Sequence, residues 1–150
     1  MPDPATQAPD LARIASHASS LRHALRVHST DRGVSTLVAR IADAQQLADT
    51  ALRLFLALSP QTSRPSPPDL LLLHHVARIA KAAQNAAAEL AAALARGVEN
   101  QHRQADAASG RVVLIGPTPQ QFIDSAADLL DDIPALCQAI SHDRPVVPRH

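Results

Sequence analysis

The chain has no tryptophan, no tyrosine and only two phenylalanines, Phe55 and Phe122. It therefore lacks the aromatic platforms on which single-stranded bases stack. Its one cysteine, Cys137, excludes an intrachain disulfide and gives no sign of an oxidising compartment. Neither sign of charge is in excess, since 14 basic side chains meet 14 acidic ones. Proteins that hold phosphate backbones draw much of their affinity from a basic surplus, so nucleic acid is not an expected partner. Long apolar runs are absent too. The longest, Ala86 to Ala95, is broken by Glu89 and falls well short of the ~20 residues a membrane span needs. The opening residues Met1-Pro2-Asp3-Pro4-Ala5-Thr6 are acidic and proline-broken, unlike the basic start and apolar run of a secretory leader. A cytoplasmic protein with no membrane contact is expected. With four glycines, the chain also has no phosphate-cradling loop; Gly110 to Gly116 matches no nucleotide-binding spacing.

What is abundant is alanine, at thirty residues, the best intrinsic helix former. Apolar positions recur at alternating spacings of three and four in four segments, the mark of one buried stripe per helix. The first stripe is Leu11, Ile14, Ala18, Leu21, Leu25 and His28. The second is Val34, Leu37, Ile41, Ala44, Ala48, Ala51, Phe55 and Leu58, ended by Pro60. The third is Leu73, Val76, Ala80, Ala83, Ala87, Leu90 and Leu94, with Gly97 and Asn100 as stops. The fourth is Phe122, Ala126, Leu129, Ile133, Leu136 and Ile140.

Capping chemistry precedes three of these segments: Ser29-Thr30-Asp31 before the second, Ser66-Pro67-Pro68-Asp69 before the third, Thr118-Pro119-Gln120-Gln121 before the fourth. Pro134 inside the last segment implies a kink, or a restart near Asp132. The aliphatics at 112–115 read as a short extended segment tucked against the helices. These features predict an all-α, antiparallel, up-and-down four-helix bundle over residues 10–142, with flexible tails at 1–9 and 143–150. The fourth helix is acidic and the first is basic, so opposite charge favours them as neighbours.

Candidate chemistry is sparse. Helical metal sites need ligands three or four residues apart, and no two of the eight histidines have that spacing. Neither a metal nor another cofactor is expected. Asp124, Asp128 and Asp131 form a stripe opposite the apolar one, which reads as a solvated acidic face open to a basic partner. An arginine and a histidine separated by four to six residues occur in the nuclease motif of the all-helical HEPN ribonucleases. Arg22 and His28 fit that spacing, but so do Arg96 with His102 and Arg144 with His150. Roughly two such matches arise by accident in a chain this rich in both residues, so the spacing marks an alternative and establishes no resemblance.

One surplus stands out. Leu52, Leu54, Leu56 and their neighbours at the end of the second segment cover more than half the helix circumference. Leu70, Leu71 and Leu72 at the start of the third leave no polar side. A helix apolar all round should be buried all round, and three things can cover this one: the Val112 to Ile115 segment crossing over it, a second copy of the chain, or a different partner. The reading that follows is a non-enzymatic interaction or regulatory module, engaging a protein partner or a second copy through this apolar pole or the acidic helix. A small apolar-ligand-binding bundle is the other non-catalytic alternative.

Overall fold

A computed structural model describes residues 4–27, 33–59, 64–107, 110 and 115–142. They form four helices, α1 (Pro4–Arg26), α2 (Val34–Leu58), α3 (Pro67–Asp106) and α4 (Pro119–His142), and no strand among the described residues. In ring order α1 touches α2, α2 touches α3, α3 touches α4, and α4 closes on α1; no diagonal pair meets. The connection between α2 and α3 is eight residues, which spans at most ~29 Å. A parallel return along α2 would need ~37 Å, so the helices run antiparallel. The ion pairs between α1 and α4 agree: Arg22 meets Asp131 while Arg26, further along α1, reaches back to Asp128. The fold is an antiparallel helical bundle.

The core follows the expected stripes with adjustments. Leu11, Ile14, Ala18, Leu21 and Leu25 are all buried on α1. Helices α3 and α4 make the most extensive contacts with their neighbours, so their buried arcs widen. On α4 the arc is centred on Ile123, Ala126, Leu130, Ile133 and Cys137, leaving Phe122 and Leu129 half-buried at its edge. On α2, Leu47 and Leu54 join the alanines inside, while Val34 turns half out to water.

The helix ends separate strong punctuation from weak. Ser66 and Asp69 form a reciprocal capping box at the start of α3. Thr118 and Gln121 do the same for α4, with the Thr118 N–H donating to Gln121 Oε1 at 2.8 Å. Helix α2 instead starts from Gly33 with no side-chain cap; Ser29, Thr30 and Asp31 lie outside the described residues. Helix α1 begins at Pro4 rather than near Asp10, so 4–9, read as tail, are helical. Proline suits a first turn because its missing N–H has no helical partner there. Gly97 and Asn100 do not stop α3. A single glycine costs only ~1 kcal/mol relative to alanine, and Arg96–Glu99 and Glu99–Arg103 pairs bridge it. Helix α4 passes through Pro134 with no restart. Of the segment at 112–115, only Ile115 is described; it is 74% exposed and not tucked in. No helix of the described residues is long and apolar enough to cross a membrane.

Helix α3, at 40 residues, is ~60 Å long against ~35–37 Å for the others. It is the spine. Its Arg96 is the anchor for the turn into α4: the side chain is 16% exposed, and Nε donates to the Pro117 carbonyl at 3.1 Å. Gly116 accommodates this approach with φ +103, and a Cβ there would sit 2.9 Å from Arg96 Nη2. The two glycines therefore respond oppositely to alanine. Gly116→Ala should lose about 1–2 kcal/mol of stability in urea unfolding through backbone strain. Gly97→Ala, with nothing within 4 Å of the new methyl, should gain about 1 kcal/mol.

Candidate functional site

The acidic stripe of α4 is not the free surface expected of it. Asp131 accepts from Arg22 Nη1 at 3.1 Å and from Arg26 Nη2 at 2.6 Å, and Asp128 accepts from Arg26 at 3.1 Å. The hydrogen bond to Asp128, with Asp131 beside it, holds the Arg26 guanidinium above its ordinary pKa. Asp124 accepts from Gln120 one turn before it. Two of the three aspartates thus serve the α1–α4 seam. Asp131→Ala should lower the melting temperature measurably, and the difference should shrink as salt approaches ~1 M, because these side chains are partly solvated.

The same pairs bear on the nuclease alternative. Arg22 is engaged by Asp131, and His28 lies outside the described residues. At the projecting end of α3, Glu99 and His102 have a metal-type spacing, but Glu99 accepts from Arg96 and Arg103, and His102 lies 3.3 Å from Asp106. No group of three potential metal ligands gathers among the described residues. Cys137 is buried at 5% exposure, and that burial pushes its thiol up to about 11. A thiol so shifted is protonated and shielded at neutral pH. Because its folded pKa lies above the ordinary thiol value of 9.0, it favours the native state below pH ~9 and withdraws that support as pH rises toward ~11. A thiol reagent at pH 8 should label the folded chain far more slowly than the urea-unfolded chain.

The apolar pole is partly core. Leu54 is 4% exposed, and Leu72 is half-buried against the core cluster. These two leave the candidate surface, since the interior sides of α2 and α3 take them. Leu52, Leu56, Leu70 and Leu71 remain 43–73% exposed.

Leu52, Leu56 and Leu70 belong to something longer than a pole. Of nine exposed large aliphatics among the described residues, seven lie on α2 and α3. On α2 a second stripe runs Val34, Val38, Ile41, Gln45, Asp49, Leu52 and Leu56, with steps of three and four. All are exposed except Ile41, which is intermediate. On α3 a matching stripe runs Ala77, Lys81, Gln84, Ala88, Ala91, Ala95 and Val98 at steps of 4, 3, 4, 3, 4 and 3, exposed throughout. Between the two stripes lies an open groove of ≈ 510 Å³. Its lining includes Ile41 and Leu52 from α2 and Ala88 and Ala91 from α3, over Ala48 and Ala87.

This outward α2–α3 face is the candidate site. Single-stripe periodicity misses it, because alanine and glutamine blur a second stripe in the sequence. The signal that finds it is the exposure of large side chains at the same spacing as the core. No family model, curated protein or solved structure matches the chain.

Proposed function

We propose that this protein is a non-enzymatic helical interaction module that binds another protein along the outward face of α2 and α3. The observation that carries the reading is the three-four stripe on each helix, from Val34 to Leu56 and from Ala77 to Val98, mainly apolar outside Gln45, Asp49, Lys81 and Gln84 and exposed except at the half-buried Ile41. A helix that presents apolar residues at three-four spacing on two sides is suited to two packing partners, one inside and one outside. The groove between the stripes is floored by alanines, so another helix can approach the backbone closely there. A second reading draws on the same groove: its ≈ 510 Å³ falls within the ~300–1,000 Å³ range of small-molecule sites. An apolar compound seated in it would raise the melting temperature of the monomer.

The docking reading predicts that the face tolerates charge without loss of fold. The double variant Leu52→Glu/Leu56→Glu should keep its helical circular dichroism and a cooperative thermal melt, losing no more stability than release of a partner from that face removes. Leu54→Glu, two positions from either but buried at 4% exposure, should lose more than ~3 kcal/mol or fail to fold, since it places an unpaired carboxylate in the core. Unfolding of the Leu52→Glu/Leu56→Glu chain would place that face inside the molecule and end the proposal.

A further inference from the structure

We infer that the occupant of this face is a second copy of the same chain, with α2 of each subunit lying on α3 of the other about a two-fold axis parallel to the helices. The inference rests on the docking reading above and names its partner.

Three properties of the face point to self-pairing. The first is size. The two stripes differ in bulk: α2 presents Val34, Val38, Ile41, Leu52 and Leu56, whereas α3 presents alanines along most of its length. A two-fold that sets α2 on the partner's α3 lays bulky side chains over small ones on both halves at once. Placing α2 on the partner's α2 would oppose bulk to bulk and leave the alanine stripes facing each other across a gap. Packing at interior density selects the first arrangement.

The second is charge. The groove lining includes Asp49 on the α2 side and Gln84 on the α3 side. Lys81 lies one turn from Gln84 on the same α3 stripe, exposed and in no ion pair among the described residues. Asp49 is 55% exposed despite its pair with Arg53. In the α2-on-α3 arrangement Asp49 comes beside the partner's Lys81, and the symmetry makes that pair twice. Gln45 and Gln84 complete a short polar band across the middle of an otherwise apolar face. Such a band fixes register in helical assemblies.

The third is area. The face is ~37 Å long and about two helix diameters wide, on the order of 700 Å² per subunit. That is close to the ~800 Å² per partner of a standard stable interface. Antiparallel neighbours inside the subunit become antiparallel neighbours across it, because α2 and α3 already run in opposite directions.

Sedimentation equilibrium on the full chain tests the inference. The parent should sediment as a dimer at ~10–100 µM. Asp49→Lys and Lys81→Asp, each alone, should weaken dimerisation at least ~10-fold, because each sets two like-charge pairs across the axis. The combined Asp49→Lys/Lys81→Asp chain should recover most of the lost affinity. Ala91→Glu, at an exposed position that folding does not use, should leave a folded monomer. A parent that stays monomeric at ~100 µM overturns the second copy as occupant. A dimer indifferent to Ala91→Glu and to Leu52→Glu/Leu56→Glu overturns this face as its interface. Single exchanges that dissociate without rescue by the double exchange overturn the α2-on-α3 arrangement. These failures are separable from failure of the docking reading. A monomeric parent whose Leu52→Glu/Leu56→Glu variant keeps its stability retains a free docking face for a different protein, whereas a variant that unfolds removes both.

Discussion

The bundle depends on alanine meeting alanine between α2 and α3. Ala44, Ala48 and Ala51 on one helix and Ala80, Ala83 and Ala87 on the other are all at most 8% exposed. Methyl groups keep neighbouring helices near the short end of the ~8–10 Å range of axial distances. The return per residue is small, because burying a methyl removes far less apolar surface from water than burying a leucine. Eleven of the 26 buried apolar residues are alanine, so the core gains less from hydrophobic burial than a leucine-rich core of equal length. Large side chains such as Ile79 and Leu90 on α3 and Leu130 and Ile133 on α4 are fully buried and supply most of the core's bulk. On α2 the buried stripe combines Ala44, Ala48 and Ala51 with Leu47 and Leu54, while Val34, Val38, Leu52 and Leu56 stay exposed.

Helix α1 is attached differently. Among the described residues it buries one narrow stripe and makes no contact with α3. Its hold on α4 is supplemented by the Arg22, Arg26, Asp128 and Asp131 network, which reads the two helices in antiparallel register. Each exposed pair contributes little, but one aspartate shared by two arginines makes the contact directional where apolar packing alone would let the helices slide. The contact between α1 and α2 is the slightest of the four. The molecule is therefore anchored along the α2–α3–α4 side, and α3 carries the load of three roles: core wall, overhanging spine and half of the outward face.

Much of this was legible from residue spacing. The stripe on α1 was read correctly from Leu11 to Leu25, the capping boxes at Ser66 and Thr118 formed as their residue types imply, and the opposite charges of the first and fourth segments marked a real seam. Other features were not legible for identifiable reasons. Gly97 resembles a stop signal, but its cost is one residue's propensity, and three surrounding charged side chains offset it through pairs three and four apart. Periodicity locates a stripe to within one helical position, so a helix that serves two neighbours, like α4, has its buried arc displaced by up to ~100° from the residue that seems central. Asp131 is still 39% exposed, but a helical wheel has no second helix on it and so cannot show the two arginines that pair with it. The outward face escaped notice for a related reason: an alanine at a three-four position fits a core stripe and a surface stripe equally, and only burial tells them apart.

The leucine-rich pole takes its place as one end of that face. Leu56 closes the α2 stripe, and Leu70 falls one heptad before Ala77 on the α3 stripe, so both continue the same lines toward the α2–α3 connection. Leu71, one residue on, points ~100° away around α3 and stands off the groove. Leu54 and Leu72 supply the interior side of the same two helix ends. The apparent all-round hydrophobicity at this pole is therefore two distinct stripes superposed where helices are short of polar residues. The inward stripe holds the subunit together. The outward one is matched in spacing, in length and in its central polar band to a surface built on the same geometry, and the α2–α3 pair offers that geometry itself.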